Sequence, residues 1–277
     1  MKPNRIVSFV KTPVFLAKEY LHRRPDPSYR AEFVQGDDKR RAQADADTLR
    51  REGIVILPRY FDSGQLATFR SAFERAIEGR PGSNPDSLYN EEIMHFDPVF
   101  LDAALDEFLL EIVGSYYEKK FGLGRAQAMR LLPSPAGRSG SFQWHHDARG
   151  KQVHLMVLIS DVTEKGQCMT YLRQSHAGYY SHYRGIAHTR FDQDLKGQDI
   201  ADRIVSVAGP AGTVALFDAN GLHSGNRNEV EPRDTLTFCY VSWRHFRKIQ
   251  GRRADVAELS PARRDVLTYN PHFTLVN

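Results

Sequence analysis

From residue 126 onward the chain breaks into short runs rich in β-branched and aromatic residues, at 126–133, 141–147, 151–160, 168–173, 203–208, 212–218 and 233–243, parted by Gly, Pro and Ser. Such spacing predicts a β-sandwich or barrel rather than alternating βαβ units. The exception is the interval 174–202, rich in Tyr, His and charge and too long for a hairpin turn. It reads as an insertion over one end of the sheet, where substrate-contacting loops sit.

The preceding part is helical in pattern. Gly53-Ile54-Val55-Ile56-Leu57-Pro58 reads as a short buried strand. Asp62 or Ser63 can cap a helix whose Leu66, Phe69, Phe73 and Ile77 follow a 3–4 spacing. Residues 80–90 read as a loop, and Asp97-Pro98 opens a single helix to about Tyr117. The fold class expected is therefore mainly β with flanking helices.

With 277 residues, 41% of them hydrophobic, the chain can bury one sizeable core. Its organisation reads as an N-terminal basic amphipathic segment and linker (1–40), a main domain (41–250) and a C-terminal basic tail (251–277). Lys11 and Lys18 interrupt the most hydrophobic early stretch, which also lacks the small-residue cleavage site of a secretory signal. A cytoplasmic protein is expected. Cys168 and Cys239 are too few for a disulfide framework or a cysteine-rich zinc site, and both fall in apolar runs where buried free thiols are ordinary.

The net charge of +4 gathers at the two ends: Lys2, Arg5, Lys11, Lys18, Arg23 and Arg24, then Arg244, Arg247, Lys248, Arg252, Arg253, Arg263 and Arg264. Such clusters attract anions, or are simply solvated. No nucleic-acid motif accompanies them, so nucleic acid is not an expected partner. Apolar residues among the first basic ones give residues 1–24 the option of peripheral contact with the inner face of a membrane. Pro13 would interrupt that helix, which favours docking on the chain's own domain or on a second copy.

On a strand, residues i and i+2 point the same way, so His145 and Asp147 can converge on one metal ion while His146 points away. His223, after the run 212–218, can supply a third ligand. Two imidazoles and a carboxylate on one face of an octahedral metal suit iron(II) and leave three positions open. His-x-Asp alone is a weak signal, since His95-Phe96-Asp97 repeats it where Asp97 is better explained as a helix cap. The remaining histidines, His154 and His176 among them, suit packing or substrate contact better. Arg233 and Thr235 share one face of the last run. A guanidinium fork with a hydroxyl suits the far carboxylate of 2-oxoglutarate, whereas the plainer reading of Arg233 is an ion pair with Glu229 or Glu231.

Trp144-His145-His146-Asp147, Leu222-His223-Ser224-Gly225-Asn226 and Arg233 together resemble the phytanoyl-CoA dioxygenase (PhyH-like) family of iron(II)/2-oxoglutarate oxygenases. The acidic turn in 159–169, Arg173-Gln174-Ser175-His176 and the strand from Gly53 extend the likeness over about 46–245, with Arg-Gln standing where the family has Pro-Gly. The resemblance implies a double-stranded β-helix, a cupin-like jelly roll. It implies iron held by His145, Asp147 and His223, and 2-oxoglutarate anchored by Arg233 with Thr235. Gln127 lies on the strand before the metal motif, in a region where some members contact the cosubstrate. His146 stands where the family often has Gln. Asp147 occupies the position that halogenating relatives vacate for halide, which favours hydroxylation.

The activity implied is oxidation of a substrate with O₂ and 2-oxoglutarate, giving succinate and CO₂. The basic clusters point to an anionic small molecule, lipid or saccharide. Tyr179, Tyr180, His182, Tyr183 and Arg184, in the 174–202 insertion, are the candidate substrate residues. Desaturation, cyclisation or epimerisation by the same site, and a non-catalytic jelly-roll binding module, are the competing readings. Intact His145, Asp147, His223 and Arg233 argue against the last, because a binding module has no need for all four.

Overall fold

The computed structural model describes residues 24–82, 87–133, 142–147, 151–164, 166–177, 195–225, 231–242, 248–252 and 258–276. Helix α1 (Gly36–Glu52) begins inside the segment expected as a linker. It buries Ala42, Ala46 and Leu49 and ends at Gly53, whose φ of 84° is the left-handed conformation that closes a helix. A Cβ at Gly53 would lie 2.5 Å from both His176 and Tyr171, so glycine is required there on two counts. Strand β1 (Ile54–Leu57) follows directly. Helix α2 (Ser63–Ile77) starts in the capping box Asp62–Gln65, and Leu66, Phe69, Phe73 and Ile77 are all buried, as their spacing predicts.

Residues 80–90 are not all loop. Ser87–Asn90 form strand β2, which Ser-Leu-Tyr-Asn conceals because it contains no β-branched residue. The helix expected up to Tyr117 is instead divided. After α3 (Ile93–Phe96), helix α4 (Val99–Ala104) stops at Leu105, and α5 (Glu107–Tyr117) restarts with Asp106 as its cap. Asp106 accepts from the Leu109 N–H at 3.0 Å and from the Tyr60 hydroxyl at 2.6 Å, so the restart is tied to the strand–helix corner.

The remaining strands are β3 (Gly122–Leu131), β4 (Gln152–Leu158), β5 (Met169–Leu172), β6 (Ile204–Val207), β7 (Val214–Asp218), β8 (His223–Gly225) and β9 (Arg233–Val241). A six-stranded antiparallel sheet runs β1-β7-β4-β9-β3-β2 and a three-stranded one runs β6-β5-β8. The two sheets form the jelly roll. The larger sheet turns Val153, Leu155, Val157, Leu216, Leu236, Phe238 and Tyr240 outward into one core with the helices. Burial of each such side chain contributes about 1.5–3 kcal/mol. Its other face, bearing Met156, Leu158, Ala215 and Phe217, packs on Cys168, Met169 and Tyr171 around the smaller sheet.

Run 141–147 is not a strand. Among its described residues only His145 pairs, through an isolated bridge to His223. The C-terminal basic stretch is folded: β10 (Ile249–Arg252) pairs in parallel with β11 (Phe273–Val276), and between them α6 (Pro261–Thr268) buries Val266 and Leu267. Both cysteines are free and buried. Among the described residues no helix is long and apolar enough to cross a membrane. The expected amphipathic segment, except Arg24, lies outside the described residues.

Candidate metal centre

His145 and His223 are drawn together by two backbone hydrogen bonds, His145 N–H to His223 O at 2.9 Å and His223 N–H to His145 O at 2.8 Å. The Asp147 N–H donates to Ala219 O at 2.9 Å, which fastens the third residue to the turn between β7 and β8. A carboxylate oxygen of Asp147 lies 3.4 Å from His145 Nε2, and the other lies 3.6 Å from His223 Nε2. One ligand atom from each of the three lies within 4.8 Å of the others. His146 does not line the cavity that the three share.

Both imidazoles have their outer nitrogen engaged by a carbonyl. His145 Nδ1 lies 2.7 Å from Gln143 O, and His223 Nδ1 lies 2.9 Å from Gly221 O. A carbonyl can only accept, so Nδ1 carries the proton and Nε2 turns its lone pair toward Asp147. Burial opposes ionisation of Asp147, but whenever Nε2 carries a proton the charge of His223 and the hydrogen bonds from His145 and His223 outweigh it and hold the carboxyl well below its usual range; a bound cation would take the place of those protons. Two neutral nitrogen donors and one anionic oxygen suit a divalent first-row ion. The residues fit iron(II).

The turn that carries His223 is itself braced. Asp218, buried, accepts from the Tyr116 hydroxyl at 2.6 Å and from the Asn220 N–H at 2.9 Å. The Tyr171 hydroxyl donates to Asp218 O at 2.9 Å, and its ring lies parallel to His223 with centroids 6.5 Å apart.

A cavity of about 460 Å³ opens from the triad along the inner face of the larger sheet. Arg233, 4% exposed, lines it and donates through an Nη to Gln167 O at 2.6 Å, while its Nε has no partner. Burial pulls its pKa down to about 10, which leaves it charged at neutral pH. Thr235, on the same side of β9, is wholly buried and its hydroxyl too lacks a partner. Unmet donors of this kind are costly unless a ligand meets them, and they suit a dianionic cosubstrate. Of the two carboxylates expected to pair with Arg233, Glu231 accepts from the Thr163 hydroxyl at 3.2 Å, and Glu229 lies outside the described residues.

Gln127 also lines the cavity, its Oε1 accepting from the Tyr89 hydroxyl at 2.8 Å. Tyr179, Tyr180, His182, Tyr183 and Arg184 lie outside the described residues. His95, the rival His-x-Asp match, sits on α3 away from the cavity, and Asp97 accepts from the Val99 N–H at 3.0 Å, consistent with a capping role. Among the polar residues lining the cavity, Ser87, Tyr89, Glu91, Arg125 and Thr237 are not singled out by the sequence, which offers His154 only for packing or substrate contact. Arg125 could have been found from Gln127, two positions on and on the same side of β3. His154 is the clearer surprise. It is 3% exposed, its Nδ1 lies 4.0 Å from Asp147, and burial pushes its pKa down to about 3, so it is neutral.

A jelly roll with two histidines and a carboxylate at the mouth of a polar cavity defines the class of non-haem iron oxygenases. Residues 49–231 match the family described as phytanoyl-CoA dioxygenase (PhyH), and the chain belongs to that family. It is a dioxygenase that uses iron(II), 2-oxoglutarate and O₂. Ectoine dioxygenase of Stutzerimonas stutzeri (strain A1501) is 25% identical over 229 residues, covering 69% of this chain and 73% of that protein. The crystal structure of EctD from S. alaskensis, with 2-oxoglutarate and 5-hydroxyectoine, superposes with a TM-score of 0.58 at 22% identity, over 80% of this chain and 82% of that one. The epimerase SnoN from nogalamycin biosynthesis gives 0.57 at 19% identity, over 73% and 84%. Those structural likenesses speak to the fold.

Proposed function

We propose that the protein hydroxylates a small polar molecule, with iron(II) held by His145, Asp147 and His223 and the far carboxylate of 2-oxoglutarate held by Arg233 and Thr235. The observation that carries this reading is the convergence of three ligand atoms within 4.8 Å at one end of a cavity whose wall bears a buried, incompletely bonded guanidinium. When bound, the metal and cosubstrate supply the oxidising chemistry, with O₂ as oxidant. The Nδ1–H bonds to Gln143 and Gly221 keep the two imidazoles in the ligating tautomer. Asp147 stays ionised and supplies the negative charge. Gln127, held by Tyr89, is positioned to orient a bound ligand from the sheet wall.

The cavity's size falls among those that hold small ligands, which supports a compact substrate over a long lipid chain. Retention of Asp147 supports hydroxylation over halogenation. The test is succinate formation from 2-oxoglutarate by protein loaded with iron(II) under O₂, alone and with candidate small molecules, followed by product mass. Wild-type protein should form succinate and His223→Ala should not. Equal succinate from both would end the proposal.

A further inference from the structure

Three strands of the larger sheet present one row of side chains toward the cavity. Arg125 of β3 lies opposite Cys239 of β9, and Cys239 lies opposite His154 of β4. The row is at the metal end, since His154 Nδ1 is 4.0 Å from Asp147. Arg233 stands on the same side of β9 but six residues from Cys239, about 20 Å along the strand. The cavity is thus lined by two guanidinium groups whose strand positions are far apart.

Arg125 forms no ion pair among the described residues, and its Nε is buried without a hydrogen-bond partner. His154 is 3% exposed and its Nε2 is likewise buried and unpartnered. Cys239 between them hydrogen-bonds Arg125, but burial raises its thiol pKa, and a neutral thiol offers the guanidinium no counter-charge. A guanidinium in such a wall is costly unless an anion meets it. Arg233 and Thr235 form a separate set of unmet donors for the cosubstrate, so the row is not needed for that purpose.

We propose that Arg125 binds a carboxylate of the organic substrate, with His154 Nε2 meeting a second polar atom beside it, so that the substrate class is small carboxylic acids with an adjoining polar group. This rests on the oxygenase reading of the same cavity. Binding of trifluoroacetate to protein loaded with iron(II) and 2-oxoglutarate, without O₂, tests it by ¹⁹F line broadening, with trifluoroacetamide as the neutral control. Saturable broadening by trifluoroacetate alone is expected, weakened about 10- to 100-fold by Arg125→Gln. The affinity for 2-oxoglutarate, read from the metal-centred visible absorption, should move less than about twofold, which also reports that the variant is folded. Equal trifluoroacetate binding by wild type and variant, equal binding of the amide, or a larger loss for 2-oxoglutarate than for trifluoroacetate would overturn the assignment. If the absorption band forms normally and trifluoroacetate fails to bind, the subsite alone falls. If no band forms in the wild type, the oxygenase reading falls and takes the subsite with it.

Discussion

His145 and His223 lie 78 positions apart in the chain, yet each donates its backbone N–H to the other's carbonyl, at 2.9 and 2.8 Å, and their rings stand 4.3 Å apart. The backbone bridge sets the approach of the imidazoles before any metal arrives. Replacing either histidine or Asp147 by Ala should therefore remove metal binding while leaving the bridge intact. Calorimetric titration with iron(II) under anaerobic conditions should show affinity reduced by about 100-fold or more, beyond the 10- to 100-fold typical of losing an outer hydrogen-bond partner. Circular dichroism should be unchanged.

In the proposed cosubstrate site Arg233 would meet a carboxylate as a fork, and Thr235 would add one hydroxyl. Arg233→Gln should raise the KM for 2-oxoglutarate by about 10- to 100-fold, and Arg233→Lys should recover only part of it because the planar geometry is lost. Thr235→Val should cost about 1 kcal/mol of cosubstrate binding. Steady-state succinate assays across a range of 2-oxoglutarate concentrations measure all three. An unchanged KM in Arg233→Gln would remove it from the cosubstrate site.

Tyr116 reaches from α5 to the buried Asp218 at the root of the His223 turn. Tyr116→Phe leaves that carboxylate with the weaker backbone donors alone and should destabilise the fold by about 1–3 kcal/mol. Urea denaturation gives the stability change. The same variant should retain iron less well on dialysis, because the turn positioning His223 is loosened.

Gly221 has no room for a side chain, since a Cβ there would collide with the Tyr171 hydroxyl. Gly221→Ala should destabilise by about 1–3 kcal/mol, as forced overpacking does. Adding Tyr171→Ala removes the hydroxyl and the ring carbons that crowd that position, together with the bond to Asp218 O, so the double variant should be more stable than the sum of the singles. Strict additivity would show that the two positions do not compete for one space.

His154 is held neutral by burial, which drives its pKa down to about 3 from an ordinary value near 6.5. Between those values the unfolded chain binds a proton that the folded chain refuses, so stability rises with pH across that window. The contribution is complete above about pH 6.5 and is lost as pH falls toward 3. In metal-free protein, His154→Gln should flatten the stability profile between pH 6.5 and 4 by at most about 1.4 kcal/mol per pH unit. Parallel profiles for the two proteins would contradict the buried, neutral state.

Much of the site can be read along the chain because its signals are local. His145 and Asp147 are two apart, Arg233 and Thr235 are two apart, and Asp62 and Gln65 sit at the spacing of a capping box. The apolar face of α2 follows from a 3–4 repeat in the same way. Strand β2 carries no such signal: it exists because Leu131 to Ala128 of β3 pair with it, and only Tyr89 among its residues is a strand former. The break at Leu105 is equally invisible, since it depends on Tyr60 reaching Asp106 from another element.

The order of residues alone thus determined which side chains have the chemistry for metal and cosubstrate, and the two-residue and ten-residue intervals that keep them together. What tertiary structure decided is the company they keep. Arg125, Cys239 and His154 become neighbours through the register of three antiparallel strands, a relation set by non-local hydrogen bonds and core packing. A shift of one residue in either pairing would turn Arg125 or His154 out of the cavity, because side chains alternate across a sheet.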